Sequence, residues 1–154
     1  MKYFEDFKIG EKIEGPEDYL VTKEEILEFG RRWDPAPFHV DEEAAKDTVF
    51  GGIVAPGAFL IAIQTYLMHK YEDKMGKSAA LARLATDELR FFNPVRPGDR
   101  VSFELECIEK RNSLSRPDRG IVTDAITVKN QNGEIVMTLK NTIMVAKQPE
   151  ATDK

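Results

Sequence analysis

Hydrophobic positions recur at two different periods along the chain, and the change of period divides it. Between Thr22 and Trp33, Ile26, Leu27, Phe29 and Gly30 fall at helical spacing, and Thr22 with Glu25 three residues on is a capping-box signature. This helix is expected to stop before Asp34-Pro35, because the residue preceding a proline avoids the helical region. Asp41 caps a short helix over Glu42 to Lys46. Pro56-Gly57 opens a long helix that runs to about Lys74, with Gly76 as its stop. Its first half, Ala58 to Ile63, is apolar nearly all round, which predicts a helix wrapped by other structure. Its second half turns polar from His69 to Lys74. Beyond Gly76 the period falls to two. Val101, Phe103, Leu105 and Cys107 alternate with Ser102, Glu104 and Glu106 in a strand over Arg100 to Lys110. Further strands are expected over Ala79 to Phe92, whose first half also reads as helix, and over Ile121 to Lys129 and Glu134 to Val145. The last two form a hairpin around Asn130-Gln-Asn-Gly133. Lys12 to Val21 is strand-like but broken at Gly15-Pro16.

The order is a strand, helical segments, one long apolar helix, then four antiparallel strands. That is an α+β class in which a sheet curls around a central helix. The sheet's other face and edges need cover, so a homodimer or higher homo-oligomer is expected. The 154 residues suit one domain, read as 1–147, with a polar tail at 148–154.

Charge and cysteine content narrow the partners. Lys and Arg number 22 and Asp and Glu 27, a net charge of −5, which argues against a nucleic-acid face. Cys107 is the only cysteine, and His39 and His69 are the only histidines, so neither an internal disulfide nor a multi-histidine metal site is expected. No signal-peptide pattern or spanning segment is legible, and the expectation is a cytoplasmic protein with no membrane partner.

Asp34 and His39 lie five residues apart in a segment stiffened by Pro35 and Pro37. A carboxylate and an imidazole held together serve as general base and general acid on one small molecule such as water. On spacing alone, the commoner arrangement is that Asp34 caps a turn and His39 packs against the sheet. Gly57 heads the apolar helix, where a backbone N–H lacks an intrahelical partner and faces a developing negative charge. The alternative is an ordinary helix start. Thr65 places a hydroxyl two turns further on, or bonds back to its own helix. Lys110, Arg111, Arg116 and Arg119 gather four cations near one hairpin end, for a carrier phosphate or for solvent. His69 reads as surface, Cys107 as core and Trp33 as a packing anchor.

Four stretches together resemble the MaoC-like dehydratases, relatives of the (R)-specific enoyl-CoA hydratases with the hotdog fold. They are Asp34-Pro-Ala-Pro-Phe-His39-Val-Asp41, Phe50-Gly-Gly-Ile-Val-Ala-Pro-Gly57, Leu89-Arg-Phe-Phe-Asn-Pro-Val-Arg-Pro-Gly-Asp99, and Ser115-Arg-Pro-Asp-Arg-Gly120 with Asn130-Gln-Asn-Gly133. The resemblance implies an antiparallel sheet around the long helix, with an overhanging segment near Trp33 to Phe50. It implies that Asp34 and His39 hold a water against the double bond of a trans-2-enoyl thioester, and that the Gly57 N–H binds the thioester oxygen. Ala36, Phe50, Pro56 and Thr65 would line the substrate. The product would be a (3R)-3-hydroxyacyl thioester. No metal or redox cofactor is implied; CoA or acyl carrier protein is part of the substrate. Ala36 stands where the motif usually has Asn, and Pro56 where hydratases commonly have His. Two other readings compete. A hotdog thioesterase would place a carboxylate on the central helix, but Pro56 to Met68 holds no Asp or Glu. A non-catalytic acyl-thioester-binding protein would have no need of both Asp34 and His39.

Overall fold

Gly15-Pro16 splits the first strand-like segment of the computed structural model, which describes residues 1–150. β1 (Lys12–Glu14) and β2 (Tyr19–Leu20) pair with different stretches of the same neighbour. α1 (Lys23–Trp33) starts on Thr22, whose Oγ1 accepts from the Glu25 N–H at 3.3 Å. The expected reciprocal half of the capping box gives way to another bond: the Glu25 carboxylate accepts from the Tyr19 hydroxyl. Burial and that bond push the Tyr19 phenol up to about 12. Its two prolines make Asp34 to His39 read as a loop, but its second half is helical. α2 (Pro37–Val40) is a single turn opened by Pro37, whose fixed φ suits a first helical position. α3 (Glu42–Lys46) begins on Asp41, whose carboxylate accepts from the Glu43 and Ala44 N–H groups.

α4 (Gly57–Met75) ends at Gly76, where φ of +107° favours glycine. Four long strands follow: β3 (Ala80–Phe91), β4 (Arg100–Asn112), β5 (Arg119–Asn130) and β6 (Ile135–Ala146). β4 and β5 run further than their alternation predicts, because Asn112 still pairs with Gly120 and Arg119 with Ala146. The named strands pair antiparallel, in the order β1-β4-β5-β6-β3, with β2 further along β4. Phe59, Leu60, Ile63 and Leu67 of α4 pack into one core with Val101, Phe103 and Leu105 of β4 and Ile126 and Val128 of β5. This is the hotdog arrangement, an α+β fold with the long helix held against the antiparallel sheet.

The single chain covers only one side of α4. Ala58, Ala62 and Tyr66 stay exposed, although the sequence reads as apolar nearly all round there. β3 is the sheet's long edge, and nearly every residue on it is exposed, Leu81, Leu84 and Phe91 among them. Trp33 is not the packing anchor expected of it: its ring is exposed, with the Arg32 guanidinium 4.9 Å from the ring centroid. In the tail, the Gln148 N–H donates to the Glu5 carboxylate at 2.9 Å; residues 151–154 lie outside the described residues. Among the described residues, no helix is long and apolar enough to cross a membrane.

Candidate active site

His39 sits on α2 and is held from both sides. Gly30 of α1 lies beneath it: a Cβ there would come within 2.9 Å of Val40 Cγ1, 3.1 Å of His39 Cβ and 3.2 Å of the His39 carbonyl. Only a residue without a side chain lets α2 dock this closely on α1. From the other side, the Val54 N–H donates to the Phe38 carbonyl at 3.0 Å, and the Val54 carbonyl lies 2.7 Å from His39 Nδ1. A carbonyl only accepts, so Nδ1 carries the proton and the tautomer is set. Phe38 packs edge-on to the imidazole at 4.5 Å between ring centroids, and Phe50 packs on Phe38 at 5.3 Å. Phe50 thus supports the ring behind His39.

With Nδ1 engaged, Nε2 is the working nitrogen. It lies 3.4 Å from Asp34 Oδ2. The two groups differ in exposure: the His39 side chain is 7% exposed and that of Asp34 45%. A buried imidazole with one nitrogen locked thus faces a carboxylate at the surface. The separation is long for a direct hydrogen bond. In the neutral tautomer both facing atoms are acceptors, an arrangement suited to a water donating one proton to each. Ala36 precedes α2 as its cap residue, with no side-chain bond to the turn.

The same Val54 segment leads into α4 three residues later, through buried Pro56 to Gly57. The Ala55 N–H donates to the Val95 carbonyl at 2.8 Å, which ties this lead-in to the 94–99 turn. Gly57 heads the helix, so its N–H has no intrahelical acceptor. The Phe91 ring of β3 lies against Gly57, where a Cβ would be 2.5 Å from Phe91 Cζ. Thr65 is further along α4. Its hydroxyl donates back to the Ile61 carbonyl at 3.0 Å and accepts from the Arg83 guanidinium at 3.3 Å.

The hairpin cations divide between roles. Lys110 donates to the Glu5 and Phe7 carbonyls, and Arg119 makes a two-pronged contact with Asp118. Asp118 is thereby held below the usual carboxylate range by the Arg119 bond. His69 is exposed beside Glu72. Cys107 is buried, and burial pushes its thiol up, against a nucleophilic role. The sequence reading missed the Val54 carbonyl and Phe91. The first is a backbone acceptor with no side-chain signature. The second acts from a strand far along the chain. Gly30 was visible only as part of a helix face.

Residues 6–130 match the model of the MaoC like domain. Among solved structures, the chain is similar to the MaoC-like dehydratase of Rhodospirillum rubrum, with 34% identity, a TM-score of 0.88 and coverage of 97% of this chain and 99% of that one. It is similar to the monoamine oxidase regulatory protein of Archaeoglobus fulgius, with 34% identity, a TM-score of 0.85 and coverage of 96% and 95%. It shares its fold with the (R)-hydratase of A. caviae involved in PHA biosynthesis, at 23% identity, a TM-score of 0.67 and coverage of 93% and 98%. The domain match spans most of the chain, including Asp34, His39 and Gly57, and the chain belongs to the MaoC-like dehydratase family.

Proposed function

We propose that this protein is a hydro-lyase that adds water reversibly across a trans-2-enoyl thioester, giving the (3R)-3-hydroxyacyl thioester. The observation that carries the reading is His39, locked through Nδ1 to Val54 and presenting Nε2 to Asp34 at 3.4 Å. A water held between Nε2 and the carboxylate has its lone pairs free to attack C3. As the C3–O bond forms, one of the pair takes a proton from the water. The π electrons of the double bond move toward the thioester oxygen, and the pair returns a proton to C2. The Gly57 N–H and the positive end of α4 stabilise the enolate oxygen. Alkene and water are consumed, and the 3-hydroxyacyl thioester is the sole product. CoA or acyl carrier protein enters as part of the substrate, with no further cofactor. The absence of Asp and Glu between Pro56 and Met68 disfavours the thioesterase reading.

The test is to mix the protein with crotonyl-CoA and follow enoyl-thioester absorbance alongside free thiol. Loss of absorbance without thiol supports the hydratase. Thiol release sinks it in favour of a thioesterase, and no change over a range of enoyl chain lengths sinks it in favour of a binding role. Gly30→Ala tests the docking of α2. The added methyl meets the His39 backbone, so turnover is expected to fall about tenfold or more through displacement of Nε2. Unchanged kcat would show that α2 tolerates the shift.

The functional unit in this reading is a homodimer. β3 offers a twelve-residue edge with apolar side chains on it, and α4 keeps an exposed apolar stripe. A second copy paired along β3 covers both. Light scattering is expected to give twice the 17.5 kDa chain mass, and Leu84→Lys is expected to lower it. A monomeric wild-type protein excludes this assembly.

A further inference from the structure

β3 carries a bulge that decides which face of the sheet Phe91 occupies. Asp87 pairs with Lys140 of β6, and Phe91 with Met137. Four steps along β3 therefore match three along β6, and one residue of β3 is extra. Side chains alternate between faces along a strand, so without the extra residue Phe91 would share the face of Asp87. With it, Phe91 shares the face of Met137, which is buried in the core with α4. Glu88 lies inside this bulge with a φ of +49°, the one positive φ outside glycine among the described residues. A glutamate in that left-handed region is strained. Lys140 holds its carboxylate at 2.7 Å. A bulge of this kind beside a site re-aims a side chain.

The re-aimed side chain meets Gly57. A Cβ there would lie 2.5 Å from Phe91 Cζ, 2.9 Å from Cε1 and 3.0 Å from Cε2, so the ring approaches tip-first. At helical φ the N–H and the Cα–Cβ direction of one residue are nearly eclipsed and point the same way. An acceptor bonded to the Gly57 N–H at about 2.9 Å is then about 3.5 Å from that Cβ position. The ring tip thus fills the Cα side of the space where such an acceptor sits. An aromatic ring is positive at its edge and negative on its face, so the tip is the part that suits a nearby oxyanion. Phe91 is half-exposed on the edge strand. Its ring therefore stands between Gly57 and the open edge of the sheet.

We propose that Phe91 is a positioning residue, set over Gly57 by the Glu88 bulge, whose ring keeps water from the Gly57 N–H and so strengthens its hold on an enolate oxygen. A donor in a water-excluded site stabilises developing charge more than the same donor in water. This rests on the thioester reading of Gly57, but the first test does not depend on turnover. Acetoacetyl-CoA forms an enolate without adding water, and absorbance reads that enolate. Bound to the full chain, it is expected to enolise at a lower pH than in solution. Phe91→Ala is expected to raise that midpoint by about one pH unit, tenfold in enolate stability. Removing an oxyanion donor outright costs about 10²–10³ in kcat; a wall acting through the donor is expected to cost about tenfold on crotonyl-CoA, with KM within about threefold. Phe91→Leu keeps an apolar wall and is expected to hold both readouts within about threefold of wild type. Both variants are expected to fold, because the ring is half-exposed and the pairing with Met137 runs through the backbone. No binding of acetoacetyl-CoA, no shift on binding, an unchanged midpoint in Phe91→Ala, a loss confined to KM, or a Phe91→Leu as poor as Phe91→Ala each overturn the proposal. A midpoint that moves as expected while crotonyl-CoA is not hydrated removes the hydratase reading and leaves the role of Phe91 standing.

Discussion

Asp34→Asn and His39→Ala are each expected to lower turnover of a trans-2-enoyl thioester by about 10²-fold or more, the scale of a lost acid–base group. The variants differ in what else they remove. Asp34 is half-exposed and no structural hydrogen bond rests on its side chain among the described residues, so the amide replacement is expected to melt within a few degrees of the wild type. His39 is buried and donates to the Val54 carbonyl. Its removal leaves that carbonyl without its partner and costs stability of about 1–3 kcal/mol as well as activity. The double variant is expected to be little worse than either single one, because two groups acting on one water fail together. Steady-state kinetics and thermal unfolding on the same samples check all three statements. Wild-type turnover in either single variant would remove the pair from the mechanism. Fully additive losses would mean that the two groups act in separate steps.

Local signals carried much of the architecture. The helix after Thr22, the cap at Asp41, the start at Pro56-Gly57 and the alternation from Val101 to Cys107 all depend on contacts within a few residues, and all appear where the pattern puts them. The departures have tertiary causes. Glu25 leaves the capping box because Tyr19 of β2 offers it a hydroxyl. The turn at Pro37–Val40 forms where the chain docks on Gly30 and is clipped to Val54. β4 extends past Lys110, although its burial alternation ends at Cys107, because β5 continues beside it.

Asp34 and His39 were legible as a motif, and the structure brings them together. The groups that orient them were not, since a carbonyl at Val54 has no letter in the sequence. Gln64 and Asp124 were hidden for another reason. Each sits where periodicity expects an apolar residue or a neutral break, and only the fold shows their acceptors buried without a partner among the described residues. Thr65 is a mixed case. Its back-bond to Ile61 is the structural role that spacing allowed, while its hydroxyl also accepts from Arg83 on β3.

Asp124→Asn is expected to stabilise the protein above pH 6 and to lose that advantage in acid. The cause is burial, which lifts the carboxyl from 3.8 to about 6 against a smaller opposing pull from Lys2. A carboxyl whose folded pKa exceeds its unfolded one binds more protons folded than unfolded, so its contribution to stability falls as pH rises between those values. Below about pH 4 both states are protonated and the side chain imposes no ionisation cost. Above about pH 6 the cost is complete, on the order of 3 kcal/mol. Asparagine has no charge to bury. Its melting temperature at pH 8 is therefore expected to exceed that of the wild type, by about 2–4 °C if only a third of that cost is realised. The gap is expected to close steadily from pH 6 to pH 4. This pH dependence separates desolvation from packing, because a change in packing alone gives a constant offset. A constant difference across the range would assign the effect to packing, and a variant no more stable than wild type at pH 8 would show that solvent already satisfies the ionised carboxylate.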